Sequence, residues 1–225
     1  MNIGQAILST LLLIVILSLV TIWAMIFPDL EIFSNIAFAV LIDSLIMLLL
    51  IFFFVRKFRV KDRPMLAPTP WYWYLIAICA GVIFVFTQGP LRIIFDSIIS
   101  IEPATTSTVG TLFNYQFPTY FYYIKFLSFA VIGPISEELF FREFQQQYLH
   151  KKYTPILVII VNALLFGMIH LPIMEWGLGH SNDMGRQAFM AFFGALGLGY
   201  IYYKSKSVGP AIAMHMAWNA TALLL

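Results

Sequence analysis

An all-α fold, a polytopic transmembrane bundle of about seven spans (six to eight), is what three observations predict. Of 225 residues, 61% are hydrophobic and 11% charged, and the mean hydropathy is +0.87. The apolar residues gather in runs long enough for a helix to cross the ~30 Å hydrocarbon core of a bilayer. The segments between these runs alternate between basic and acidic. A net charge of +2 is too small to imply a nucleic-acid partner, and a single cysteine, Cys79, rules out an intramolecular disulfide.

The first expected span is Ile3 to Phe27, stopped by Pro28-Asp29. No Lys or Arg precedes it and it is long for a signal-peptide core, so no cleaved leader is expected. The second, Ile32 to Val55, carries Asp43 and leads into a basic segment, 56–63, and a Pro-rich linker, 64–70. Trp71-Tyr72-Trp73-Tyr74 opens the third as an interfacial aromatic belt. It is expected to run to about Phe86, with Gly89-Pro90 breaking or kinking it. A polar loop, 96–117, follows. Pro118 to Val131 and Ser136 to about Leu149 read as one long kinked helix or as two elements. Ile156 to Leu171 returns across the bilayer after the turn at 150–155, and Ile173 to Asp183 reads as a loop. Arg186 to Tyr203 has Gly194, Gly197 and Gly199 for close helix contact, and Ala211 to Leu225 closes the chain. Residues 1–118 are thus N-terminal transmembrane helices and 119–225 a helical core, in one integrated membrane domain.

Charge sets the expected orientation. Segments 56–63, 150–154 and 204–206 hold nine of the thirteen Lys and Arg residues, whereas 28–31, 96–117 and 173–185 hold none. The positive-inside rule places the N-terminus in the cytoplasm and the C-terminus outside.

Against this apolar background three polar sets stand out: Glu137, Glu138 and Arg142; Phe166 with His170; and His215 with Asn219. A charge at bilayer depth costs at least ~2.5–3.5 kcal/mol, so such residues carry function by default. Counted from the basic turns, Glu137 and His170 lie ~22 and ~27 Å deep, and His215 and Asn219 ~14 and ~20 Å. In an antiparallel hairpin closed at 150–155, Glu137 falls opposite residue 168, near His170, and Arg142 opposite 163, near Asn162. Glu138 and Arg142 are i and i+4 with the acid first, the favourable order for a structural pair. Glu137, ~100° further round the helix, is left to face His170. Such a pair can hold a water and take its proton, while His215 and Asn219, on one helix face, can donate to a developing oxyanion. The implied chemistry is amide hydrolysis by an activated water.

These three sets resemble, in order, the motifs of the CPBP family, which contains the type II CAAX prenyl endopeptidases and bacteriocin-processing membrane proteases. The resemblance covers roughly residues 120–225. It implies an intramembrane glutamate-type protease with Glu137, His170, His215 and Asn219 catalytic and Glu138 and Arg142 supporting. It also implies a membrane-associated peptide or lipidated protein as substrate, in a bacterial plasma membrane. No cofactor is expected. The alternative is zinc held by Glu137, His170 and His215, although neither histidine has a second at i+4. Competing readings are a non-catalytic scaffold or immunity protein binding a peptide or a sensor kinase, and a small transporter, against which no inverted repeat is visible. His150 and His180 read as solvated, Phe166 as packing, and Asp43 stays unassigned.

Overall fold

The computed structural model describes residues 1–26, 36–61, 64, 66–99, 119–173 and 185–225. All elements among them are helical: α1 (Ile3–Ile26), α2 (Ile36–Phe58), α3 (Tyr72–Ile99), α4 (Thr119–Phe126), α5 (Gly133–Glu138), α6 (Gln147–Leu149), α7 (Pro155–Met168), α8 (Arg186–Ser205) and α9 (Val208–Leu224). The Pro28-Asp29 stop, most of the 96–117 and 173–183 loops, and His180 lie outside the described residues.

Local chemistry explains the ends. At the start of α1, the Gln5 amide donates to Asn2 Oδ1 at 2.8 Å and the Asn2 amide to Gln5 Oε1 at 2.9 Å, a reciprocal capping box. Pro155 opens α7, where its missing N–H costs no helical bond. Gly185, at φ 87°, supplies the left-handed turn before α8.

Two helices are long and apolar enough to cross a membrane, Phe38–Phe58 (mean hydropathy 2.9) and Tyr72–Ile99 (1.8). Their outer faces stay apolar: Phe53, Ile83, Phe86 and Ile93 are all well exposed. The third apolar segment does not end near Phe86. It continues through Gly89-Pro90 to Ile99, so Asp96 is helical and bonds Arg186 of α8 at 2.8 and 3.0 Å. Proline removes one backbone bond, but the flanking apolar residues keep the helix running.

Residues 119–149 form one unbroken helical run, which decides between the two sequence readings. It is not uniform. Two stretches, Leu127–Ile132 and Leu139–Gln146, are π-helical. The first leads into Gly133-Pro134, where a wider turn relieves the clash that proline makes with the preceding backbone. The second is buried along its whole length.

That second stretch organises the interior. Gln145 Nε2 reaches α1, donating to Ala6 O (3.1 Å), Ser9 Oγ (2.9 Å) and Thr10 Oγ1 (2.8 Å). Gln146 Nε2 donates to Gly199 O of α8 at 2.9 Å. Glu143, fully buried, is met by Arg59 at 3.4 Å and by the Tyr202 hydroxyl at 3.5 Å. Apolar packing does the rest, with Phe140, Phe141 and Phe144 set among Phe54 and Phe166. On the other side α3 lies against α9, and Gly81 makes this approach possible. A Cβ there would sit 2.2 Å from Met214 O.

Candidate active site

The expected Glu138–Arg142 pair is present and completely buried, with Arg142 Nε donating to Glu138 Oε2 at 2.8 Å. Arg142 Nη1 also donates to Asn162 Oδ1, the neighbour that hairpin counting put opposite it. Asn162 Nδ2 in turn donates to Phe141 O (3.1 Å) and Gln145 Oε1 (3.3 Å). A continuous polar chain therefore runs from Glu138 through Arg142, Asn162 and Gln145 to α1. A charge-assisted chain in a water-poor interior is strong only while every member keeps its partner.

Glu138 uses its other oxygen on α9: His215 Nδ1 lies 3.1 Å from Glu138 Oε1. A carboxylate can only accept, so Nδ1 carries the proton and Nε2 points away from Glu138. Nε2 lies 3.9 Å from Glu137 Oε2, too long for a hydrogen bond. Glu137 Oε2 is buried and has no hydrogen-bond partner among the described residues, although the side chain as a whole is 27% exposed. The two glutamates thus differ as the spacing predicts: one neutralised by arginine, the other free.

His170 sits just past the end of α7. Its Nδ1 donates to Phe166 O at 3.0 Å, since a carbonyl also only accepts, which leaves Nε2 as the available lone pair. No hydrogen bond or ion pair joins it directly to Glu137. Its neighbour Ile169 lines the cavity of about 200 Å³ beside Glu137. Phe166 is more than filler. Its ring lies 4.9 Å from that of His170, 5.6 Å from that of His215 and 5.3 Å from the Arg142 guanidinium. It sets the spacing of both histidines. Asn219, one turn beyond His215, donates Nδ2 to Phe129 O at 2.9 Å and keeps its second N–H.

Both histidines hold their Nδ1 protons on oxygen and present Nε2, a tautomer that suits either a water or a metal. Among the described residues, however, no three His, Cys, Asp or Glu side chains gather as a metal site. His150, read as solvated, is partly buried instead, with its ring 5.4 Å from that of Tyr203. The buried Glu143, Gln145 and Gln146 were not singled out by the motif reading. Their spacing resembles the polar face of an ordinary amphipathic helix, so no sequence signal marks them as interior.

No curated protein and no solved structure matches the chain. A family model does, that of the type II CAAX prenyl endopeptidase Rce1-like proteins, over residues 119–221. The matched stretch begins at α4 and takes in all six polar residues just described. Over residues 119–221, then, this chain is similar to the type II CAAX prenyl endopeptidase Rce1-like proteins, the match that the resemblance of its three polar sets to the CPBP family leads one to expect.

Proposed function

We propose that the chain is an intramembrane endopeptidase that hydrolyses a peptide bond in a membrane-associated peptide or protein with a water activated by Glu137. The observation that carries this reading is the division between the adjacent glutamates. Glu138 is spent on Arg142 and His215, whereas Glu137 Oε2 is buried, unbonded and at the edge of a cavity. A carboxylate oxygen that is buried and without a partner can take a proton from a water held beside it. His170 Nε2 accepts a hydrogen bond from the same water and orients it toward the scissile carbonyl. As the tetrahedral intermediate forms, the free N–H of Asn219 donates to its oxyanion, and His215 joins it as the imidazolium, with Nε2 protonated as well as the Nδ1 held on Glu138. Glu137 then returns the proton to the leaving amine. Glu138 holds His215 in its tautomer, and Arg142 holds Glu138.

This proposal includes about seven spans, the basic turns and N-terminus in the cytoplasm, and no metal. The Met1 amine supports the orientation. Its pKa is lowered by burial and then by Lys152 and Lys151, so the N-terminus lies beside the basic turn at 150–154. A peptide or a lipidated protein tail is the substrate.

The test is cleavage of a library of membrane-anchored and lipidated peptides by wild type and Glu137→Gln, each with and without a strong zinc chelator. Cleavage that disappears in the variant and is insensitive to chelator is the expected result. Cleavage that persists in Glu137→Gln overturns the role of Glu137, and cleavage abolished by chelator overturns the metal-free step.

A further inference from the structure

Asp43 lies in the N-terminal half of α2, the more apolar of the two membrane-length helices, and no motif accounts for it. It makes no hydrogen bond or ion pair with any described residue. Of the core arginines, Arg142 is paired with Glu138 and Arg59 with Glu143. Asp43 lines the same cavity as Glu137, together with Leu13 of α1, Met47 of α2, Ser128 and Ile169.

Ser128 provides an independent observation. It is 1% exposed, and its Oγ has no hydrogen-bond partner among the described residues. Helical serines normally return their hydroxyl to a carbonyl of the preceding turn. Ser44 does so to Val40 O at 2.8 Å, and Ser136 to Gly133 O at 2.8 Å, both at this same cavity. Ser128 does not. Its hydroxyl, the Asp43 carboxylate and Glu137 Oε2 are three unsatisfied groups around one space, and the two carboxylates can only accept hydrogen bonds. Their complement is rich in donors and positively charged. The volume of about 200 Å³ is below the ~300–1,000 Å³ of pockets that hold whole small molecules, so it suits one side chain of a longer substrate. The apolar walls fit an aliphatic stem, with the charge at its tip.

We propose that this cavity is a substrate subsite for a single cationic group, a lysine or arginine side chain or an α-amino group, and that Asp43 is its specificity-determining residue. The inference rests on the protease reading above and names its substrate class: an apolar, membrane-associated segment with a positive charge close to the scissile bond. An acidic residue at that position is rejected by like charge. The wall that reads the substrate comes from α1 and α2, outside the matched stretch at 119–221.

The experiment uses the full chain in lipid nanodiscs and a panel of membrane-anchored peptides. These share one apolar sequence and carry Lys, Arg, norleucine or Glu at each scanned position. Cleavage is measured for wild type, Asp43→Asn and Asp43→Lys, and binding by fluorescence anisotropy for Glu137→Gln and Glu137→Gln/Asp43→Asn. At one position wild type should favour Lys or Arg over norleucine roughly tenfold in kcat/KM, the scale of one hydrogen bond to a charged group. Asp43→Asn should erase the preference, and Asp43→Lys should transfer it to Glu. Glu137-dependent cleavage with the same profile in wild type and Asp43→Asn overturns the subsite and leaves the protease reading standing. Absent cleavage, but Lys-dependent binding to Glu137→Gln that the second substitution removes, sustains the subsite and overturns the protease reading. Absence of any charge preference in both cleavage and binding overturns the subsite.

Discussion

Glu137 and Glu138 are neighbours in sequence but lie ~100° apart around their helix, and that rotation gives them different surroundings. Glu138 is fully buried, and Arg142 and His215 occupy its two oxygens. Removing the arginine would strand a buried charge. Arg142→Ala should therefore cost about 3–5 kcal/mol, read as a large fall in melting temperature of the purified protein. An unchanged melting temperature would show that the pair carries no structural weight. Much of this was legible beforehand. The i, i+4 spacing marks the Glu138–Arg142 pair, and hairpin counting marks Asn162 as a partner of Arg142. What the motif reading missed were the contacts that depend on side-chain direction in three dimensions. Glu137 has His215 Nε2 beside it at 3.9 Å rather than His170 in direct contact. The counting assumes regular helices, whereas Leu139–Gln146 is π-helical, which turns the following side chains to other faces.

Among elements, the run from Thr119 to Leu149 carries most of the buried polar side chains of the interior. Its buried polar side chains tie α1, α7, α8 and α9 together, each through a named bond, and Glu143 also meets Arg59 just past the end of α2. The two N–H groups of Gln145 Nε2 are shared among three acceptors of α1. Gln145→Leu should cost about 1–3 kcal/mol for each buried polar group left unpaired, and denaturant unfolding in detergent measures it. Loss of less than about 0.5 kcal/mol would mean that α1 is held by apolar contact alone. The α3–α9 contact is governed by size instead of charge. Gly81→Val would place a Cβ 2.2 Å from Met214 O and drive the helices apart, with a cost of at least about 1–3 kcal/mol. A melting temperature equal to wild type would contradict that close approach. Hydropathy located every one of these helices. It misplaced the end of α3, because Gly-Pro is a weaker stop when apolar residues continue on both sides. The glycines of α8 matched their reading: a Cβ at Gly194 would meet Trp218 at 2.4 Å.

At the scale of the whole molecule, the stretch at 119–221 that matches the family model shares its interior with the N-terminal helices. The cavity beside Glu137 has walls from α1 and α2 as well as from the matched region, so the site is not contained in the C-terminal part alone. Charge alternation, which is a property of the entire chain, predicts the topology. Reporter fusions should place the N-terminus and the 150–154 turn on the same, cytoplasmic side and the C-terminus on the opposite side. A C-terminal reporter on the cytoplasmic side would contradict the seven-span arrangement.

The central claim is that two adjacent carboxylates divide the labour, one activating water and the other holding the site. The most direct measurement compares turnover and melting temperature for Glu137→Gln and Glu138→Gln in the same preparation. Glu137→Gln should lose on the order of 10²–10⁴-fold in kcat while melting close to wild type, and Glu138→Gln should melt well below it. Turnover retained in Glu137→Gln would contradict the account.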